Sequence, residues 1–169
     1  KVIVSINGKS KNLDSKGMVN IPNKDVTISQ IERLMQDLCY RAKIEYEYEA
    51  IHVLPYNFKL DDQDNIEDPL GMSGSRLEVE AQIITVQRAA VVNLRKAIEK
   101  AGLRADNIVL CGYASSIATL NEDEKQLGAA LIDMGGATCN MVIHAGNSIR
   151  YSEFLGVGST LITTDLSAA

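Results

Sequence analysis

An aspartate followed by a glycine-rich turn separates two short apolar segments near the end of the chain. These segments, residues 127–132 and 139–144, each have the length and apolar content of a buried strand. Between them, residues 133–138 have the sequence Asp-Met-Gly-Gly-Ala-Thr. Glycine tolerates positive φ and lets backbone N–H groups approach an anion, and an aspartate at a strand end can hold Mg²⁺ through water. The pattern predicts a phosphate-binding hairpin, with a plain hairpin whose aspartate caps the turn as the alternative.

The residues after this hairpin predict a third strand and a helix. A turn at Asn147 is expected to lead into a strand over 148–154. Residues 156–161, Gly-Val-Gly-Ser-Thr-Leu, have two of the three glycines of a dinucleotide-binding fingerprint, with leucine where the third belongs. This sequence predicts the start of a helix near Ser159, whose first N–H groups would be neighbours of a bound phosphate.

The first part of the chain has the alternation of a small α+β unit. In the first residues, Val2, Val4 and Ile6 alternate with Lys1, Ile3 and Ser5, which predicts a strand before an Asn-Gly turn. Residues 12–23 are rich in Asn, Gly, Ser and Lys, and we expect a loop there with a short strand at 18–21. Thr27 and Gln30 have the spacing of a capping box, which predicts the start of a helix.

Two more strands complete this unit. Residues 49–54 predict a strand that Pro55 closes, and residues 77–83 alternate between apolar and polar side chains in a long strand with one solvent-facing side. Between them, the acids of residues 61–68 suggest calcium, but the central glycine and closing glutamate of a calcium loop are missing. A solvated acidic loop is therefore expected.

The following segment predicts an α/β arrangement. Residues 87–101 have a helical apolar face and end at Gly102, a residue that favours the positive φ of a helix C-terminus. A short strand is expected at 108–111 and a short helix at 114–120. Residues 121–126 are charged and lack apolar periodicity, so they are interpreted as a linker.

The composition argues against several classes of function. The 169 residues carry a formal net charge of −5, with a pI near 5.1, and nucleic acid requires a basic surface. No apolar run approaches the length of a membrane span. Three widely spaced cysteines and two histidines are too few in register for a zinc site, and this cysteine usage fits a reducing cytoplasm. Cys139 and His144 would point to opposite faces of their strand, which predicts a core cysteine and a hydrogen-bonded histidine.

Two motif-like sequences do not meet the requirements of the sites they imitate. Gly-Lys-Ser at 8–10 lacks the earlier glycine of a nucleotide-binding P-loop, where this chain has Ile3, and no helix is predicted after it. Gly-Met-Ser-Gly-Ser at 71–75 has its second glycine one place early for a nucleophile elbow, and no His-Asp pair is placed to activate Ser73. Neither sequence predicts a catalytic site.

Several stretches along the chain resemble the FtsA family of bacterial cell-division proteins. Residues 133–138 are also similar to the second phosphate loop of the superfamily of actin, sugar kinases and heat-shock chaperones. The resemblance to the FtsA family runs in one order, with few gaps, from near the first residue to the last. The stretches that carry it are His-Val-Leu-Pro at 52–55, Asp-Pro-Leu-Gly-Met-Ser-Gly-Ser-Arg-Leu at 68–77, Gly-Tyr-Ala-Ser-Ser at 112–116 and Glu-Asp-Glu-Lys-Gln-Leu-Gly at 122–128.

The resemblance implies a mixed α+β and α/β fold that is a segment of a two-lobed, actin-like protein. An SHS2-like interaction subdomain called 1C, with the order strand-helix-strand-strand, is expected at 1–86. The remainder of subdomain 1A would occupy 87–126. The beginning of subdomain 2A, with the phosphate loop and a β-meander, would occupy 127–169 and present an unpaired strand edge.

The resemblance also implies that the full-length protein binds ATP and Mg²⁺. The family commonly has glycine where this chain has Ala137, so a left-handed backbone there would strain the loop. Because the other phosphate loop and the adenosine pocket belong to sequence outside this chain, we expect weak or undetectable ATP binding and no hydrolysis by this segment alone. No catalytic residue is assigned, and Asp133 would contact Mg²⁺ through water. The residues implied to hold the nucleotide are Asp133, Gly135, Gly136, Ala137 and Thr138.

The partners implied by the resemblance are those of bacterial division. The full-length family member ties the FtsZ ring to the cytoplasmic face of the inner membrane, forms filaments, and recruits later divisome proteins such as FtsN through 1C. The FtsZ-binding surface and the membrane-binding helix would lie outside this chain. Arg33, Arg41, Lys59 and Arg76 are candidate 1C contacts, with ordinary solvated surface as the alternative. Two other functions remain open: an ATP-dependent phosphotransferase of the same superfamily that uses the Asp133 loop, and a pure interaction module.

Overall fold

A computed structural model describes residues 1–22, 25–146 and 148–168, which form three sheets and five helices. The turn predicted at Asn147, and the last residue of the loop predicted over 12–23, lie outside the described residues. None of the helices within these ranges is both long enough and apolar enough to cross a membrane. The strands are β1 (Val2–Ile6), β2 (Ser10–Asn20), β3 (Tyr48–Leu60), β4 (Gln63–Ile66), β5 (Arg76–Gln87), β6 (Ala105–Leu110), β7 (Ala129–Met134), β8 (Cys139–Ala145) and β9 (Ser148–Leu155). The helices are α1 (Ile28–Arg41), α2 (Arg88–Lys100), α3 (Cys111–Thr119), α4 (Glu122–Leu127) and α5 (Ser159–Ala168).

Four antiparallel strands form the largest sheet, in the order β2-β5-β3-β4, and α1 packs against it. The helix begins where the capping box predicts, because the Gln30 side-chain oxygen accepts a 2.8 Å hydrogen bond from the Thr27 backbone N–H. Leu34 and Leu38 on its inner face are fully buried in one core with Leu77 of β5. The amphipathic pattern of α1 therefore holds the first core together.

The loop predicted over 12–23 is wrong. Residues 10–20 form one long strand, β2, and every one of them has a partner on β5. The strand is polar because it lies at the edge of the sheet, where only Ser15 and Gly17 are buried toward α1. Backbone pairing with β5 thus overrides a composition that favours a loop.

Pro55 does not close the strand that contains it. β3 continues to Leu60, and its register with β5 shifts between Pro55 and Asn57. Such an irregularity is where a sheet accommodates proline, because the missing N–H then removes no regular ladder bond.

The acidic segment 61–68 contains a strand that the sequence did not predict. β4 turns back on β3 through Asp61, whose φ of 49° is left-handed. The Asp61 carboxylate accepts hydrogen bonds from the backbone N–H groups of Ser75 and Arg76. This carboxylate therefore ties the turn between β3 and β4 to the start of β5.

A second core joins the far end of β5 to the remaining elements. Ile84 and Val86 lie outside the core that α1 covers, and they cluster with buried residues from β1, α2, β6, β8 and β9. The alternation predicted that Gln82 faces solvent, but its side chain is buried. It donates a 2.8 Å hydrogen bond to the Arg150 carbonyl on β9. The prediction of one solvent-facing side holds only for the first half of β5. The residues that join Ile84 and Val86 are Ile6, Val91, Ile108, Leu110, Val142 and Ile149.

β1 lies outside the four-stranded sheet and pairs in parallel with β6. Residues 7–9 lead from β1 into β2, and β5 runs directly into α2, so the large sheet is inserted between β1 and α2. Helix α2 ends at the predicted position, followed by Gly102 with a φ of 74°. The proposed domain boundaries at 1–86, 87–126 and 127–169 remain predictions.

The charged linker predicted over 121–126 is a short helix, α4. The Asn121 side chain accepts a hydrogen bond from the Glu124 backbone N–H, and the Glu124 side chain accepts one from the Asn121 backbone N–H. Leu127 ends this helix and is 88% exposed, so the next strand begins later than predicted. A capping box can define a helix too short to show apolar periodicity.

The three-stranded meander β7-β8-β9 is observed as predicted, but β7 is not a buried strand. Its exposure alternates, with Ile132 63% and Met134 59% exposed. β7 therefore leaves one apolar face uncovered at the edge of its sheet within the described residues.

Candidate functional site

The loop between β7 and β8 is positioned by a close approach of helix α3. Gly112 permits this approach, because a Cβ atom at this position would come within 2.8 Å of the Val142 side chain on β8. One turn further along α3, the Ser115 hydroxyl donates a 2.7 Å hydrogen bond to Asp133 Oδ2. The carboxylate at the end of β7 therefore has a defined orientation beside the loop.

The loop itself is a tight turn with unused backbone donors. The Gly135 N–H donates to the Thr138 carbonyl at 2.8 Å and closes the turn. Within the described residues, no protein acceptor is in hydrogen-bond range of the N–H groups of Gly136, Ala137 or Thr138. The Thr138 hydroxyl oxygen accepts a 2.9 Å hydrogen bond from the side-chain amide of Asn7. Three consecutive free N–H groups and a hydroxyl fit the oxygen atoms of an anion.

The glycines of the loop have a different role from the one predicted. Neither Gly135 nor Gly136 has positive φ, and Ala137 does not either, so alanine imposes no left-handed strain here. Glycine is favoured at position 136 by the lack of space for a side chain, because a Cβ atom there would lie 3.3 Å from the Thr160 hydroxyl. A Cβ atom on Gly158 would collide with the carbonyl groups of the two loop glycines.

Helix α5 begins at Ser159 as predicted, but its first N–H groups are already used. The Ser159 N–H donates to the Gly135 carbonyl and the Thr160 N–H to the Gly136 carbonyl, both at 2.9 Å. The helix N-terminus therefore supports the back of the loop and presents fewer donors to an anion than the sequence suggested.

Asp133 is the one predicted metal contact. Among the described residues, no group of three or more His, Cys, Asp or Glu side chains is placed to hold a metal ion. Ser115 occupies Oδ2 of Asp133, which leaves Oδ1 for a metal-bound water. A single carboxylate that acts through water fits Mg²⁺, which retains several waters when it is held by substrate phosphates. The Mg²⁺ contact of Asp133 stays a prediction.

Polar contacts join β9 to the large sheet. The Asn12 side-chain amide donates to the Ser152 carbonyl at 2.7 Å, and the Ser152 hydroxyl donates to Asn12 Oδ1 at 2.8 Å. The guanidinium group of Arg150 lies 4.0 Å from the centre of the Tyr56 ring. The meander that carries the loop is therefore also in contact with the inserted sheet.

Of the two histidines, His144 is buried and His52 is half-buried. His52 Nε2 accepts a 3.0 Å hydrogen bond from the Leu110 N–H, and burial lowers the pKa of His52 below its ordinary value of 6.5. His144 is 2% exposed, and burial, with a smaller effect of Lys125, lowers its pKa also. Its Nε2 lies 2.9 Å from the Ser116 hydroxyl, but Nδ1 has no partner among the described residues. The prediction of a hydrogen-bonded His144 thus holds for one ring nitrogen.

Sequence reasoning missed Ser115 and Asn7 as neighbours of the loop. The sequence indicates Ser115 only as part of a short helix and of the family resemblance, and Asn7 only as part of a turn. Asn7 and Thr138 are 131 residues apart in the chain. No local pattern predicts such a contact, since it depends on how separate elements pack.

The fold includes an SHS2 domain, and a solved structure resembles almost the whole chain. One chain of a solved PilM-PilN type IV pilus biogenesis complex matches 98% of this chain with a TM-score of 0.59. At 15% identity, and with 45% of that chain covered, this likeness concerns the fold alone. A family model described as the SHS2 domain inserted in FtsA matches residues 8–85, which contain α1 and all of the four-stranded sheet except the last two residues of β5.

Curated relatives extend the match to almost the whole chain. Over 169 residues, or 99% of this chain, it is 45% identical to the cell division protein FtsA of Helicobacter pylori J99, 34% identical to that of Buchnera aphidicola from Acyrthosiphon pisum, and 30% identical to that of Escherichia coli K12. The chain spans 34% of the Helicobacter protein and 40% of each of the other two. Over almost its whole length the chain is thus similar to a segment of FtsA proteins, which confirms the resemblance and the fold class predicted from the sequence.

Proposed function

We propose that the protein containing this segment acts in bacterial cell division, where it ties the FtsZ ring to the cytoplasmic face of the inner membrane and recruits later divisome proteins. The observation that carries this proposal is the match to FtsA proteins along 99% of the chain. That match includes both the inserted SHS2 domain and the loop at 133–138. FtsZ and the membrane would be contacted by other parts of the full-length protein.

Residues 133–138 supply half of a site for Mg·ATP in this proposal. The free N–H groups of Gly136, Ala137 and Thr138, together with the Thr138 hydroxyl, support binding of a phosphate group. Asp133, oriented by Ser115, would hold a water of the Mg²⁺ ion. The bound nucleotide would supply the phosphate charge that these donors neutralise. The segment itself orients this charge and is assigned no catalytic residue.

The SHS2 domain supplies the surface for self-association and for partners such as FtsN. Of the basic candidates, Arg41 pairs with Asp37 at 2.5 Å and Arg76 pairs with Glu78 at 2.8 Å. Arg33 and Arg41 both line a groove between α1 and the edge strand β2, but Asp37, which pairs with Arg41, lines it too. Arg33 is therefore the basic residue whose position most supports a partner contact, because an unpaired edge strand beside a cation can receive an extended peptide.

An ATP-dependent phosphotransferase is the alternative, and the loop at 133–138 is the observation that favours it. The two functions separate in one set of assays on the full-length protein. Filaments on lipid vesicles that recruit FtsZ, lost in the Asp133→Ala variant, would support the division scaffold. Steady ATP turnover that requires a small-molecule acceptor, without filaments on lipid, would contradict the division scaffold and support the phosphotransferase.

A further inference from the structure

The contact between Asn7 and Thr138 joins the entrance of the inserted sheet to the phosphate loop. Asn7 is the first of the three residues that lead from β1 to β2, and its side chain is exposed. Its Nδ2 lies 2.9 Å from Thr138 Oγ1 and is the donor, because a side-chain amide nitrogen donates hydrogen bonds and does not accept them. The Thr138 hydroxyl oxygen is thus the acceptor in this contact.

This direction of the hydrogen bond determines where the hydroxyl proton goes. A threonine hydroxyl has one proton, and Asn7 leaves that proton for another acceptor. The N–H groups of Gly136, Ala137 and Thr138 also lack an acceptor among the described residues. Asn7 therefore helps to turn the Thr138 hydroxyl into a fourth donor on the same turn.

We propose that Asn7 is a positioning residue of this anion site, which holds the Thr138 hydroxyl with its proton available to a nucleotide phosphate oxygen. The proposal rests on the proposed nucleotide function of the loop. Asn7 acts through Thr138 and is not required to touch the nucleotide. It follows that a residue outside the loop, at the base of the SHS2 insertion, contributes to nucleotide affinity.

The test is a titration of Mg·ATP, by calorimetry, into the full-length protein and its variants. Asn7→Ala should weaken binding about three- to tenfold, the value of one hydrogen bond, and Thr138→Val should weaken it by about tenfold or more. The double variant should bind no more weakly than Thr138→Val alone, because without the hydroxyl Asn7 has nothing to position. Asn107→Ala, an exposed asparagine on β6, is the matched control and should bind like the unaltered protein.

Asn7→Asp provides a second test with almost no change in shape. A carboxylate at this position accepts the hydroxyl proton and places a negative charge beside the phosphate. Binding should fall further than in Asn7→Ala, and the extra loss should shrink at high salt because exposed charges are screened. A salt-dependent loss shows that position 7 lies close to the bound phosphate, whereas Asn7→Ala and the double variant test the positioning of Thr138.

Two results would overturn the inference and leave the proposed site intact. They are unchanged affinity in Asn7→Ala, and an Asn7→Ala loss that adds in full to that of Thr138→Val. If neither Asp133→Ala nor Thr138→Val weakens binding, the proposed nucleotide site fails, and the inference fails with it.

Discussion

The hydroxyl of Ser115 donates a 2.7 Å hydrogen bond to Asp133 Oδ2, and this bond links helix α3 to the loop that carries the candidate site. The two residues lie on different elements, 18 positions apart. The bond fixes one carboxylate oxygen and leaves the other for solvent or a metal-bound water. Its removal should therefore alter the site without removing a charge.

Ser115→Ala in the full-length protein should weaken Mg·ATP binding about three- to tenfold. The reason is that Asp133 loses the partner that orients it. Calorimetric titration measures the effect, and Ser5→Ala, an exposed serine on β1, is the control. Equal affinity in Ser115→Ala and the unaltered protein would contradict the orienting role.

Gly158→Ala should destabilise the chain by about 2 kcal/mol or more, because the added methyl group collides with the carbonyls of Gly135 and Gly136. Gly156→Ala is the matched control, since no atom lies within 4 Å of its added Cβ. Urea unfolding of both variants measures the difference in free energy. Equal stability of the two variants would show that α5 does not pack on the loop as described.

The stability of the chain should decrease as the pH falls below about 6.5. Burial lowers the pKa of both His52 and His144 in the folded state, so the unfolded chain binds more protons. Their contribution is complete above the unfolded pKa of 6.5 and is lost as the pH decreases from there toward the lowered folded values, with a slope of up to about 1.4 kcal/mol per pH unit for each histidine.

Urea unfolding at pH 8 and at pH 5.5 measures this dependence. His52→Gln and His144→Gln should each reduce the difference between the two pH values, because glutamine does not titrate. Lys125 opposes protonation of His144, whereas Glu122 favours it. Lys125→Met should therefore reduce the pH dependence contributed by His144, and no change in any of these variants would refute the assignment.

The reciprocal hydrogen bonds between Asn12 and Ser152 should stabilise the contact of β9 with the large sheet. Asn12→Ala removes the acceptor of the buried Ser152 hydroxyl and should cost about 1–3 kcal/mol. A double-mutant cycle with Ser152→Ala, read by urea unfolding, should give a coupling energy of about 1 kcal/mol. Strictly additive losses would mean that the two side chains do not act on each other.

Local patterns predicted most elements but not their exposure. The capping box at Thr27, the helix that ends before Gly102 and the start of α5 at Ser159 were all predicted, because each depends on neighbouring residues. β2 was predicted as a loop, and β3 was predicted to stop at Pro55, because pairing with β5 stabilises both segments. Strand pairing is a contact between distant segments, so composition alone does not reveal it.

The sequence by itself determined the resemblance to the FtsA family, through stretches spread along the chain. It also determined the α+β character of the inserted unit and the residues of the candidate loop, since these depend on residue types at short spacings. Tertiary structure alone decided which donors of that loop are free. The N–H groups at the start of α5 are taken by the carbonyls of Gly135 and Gly136, while those of Gly136, Ala137 and Thr138 are left without a protein acceptor. It also decided that Asn7 and Ser115 support the loop. A hydrogen bond depends on the distance and direction between two groups, and only the packed chain sets these for residues far apart in sequence.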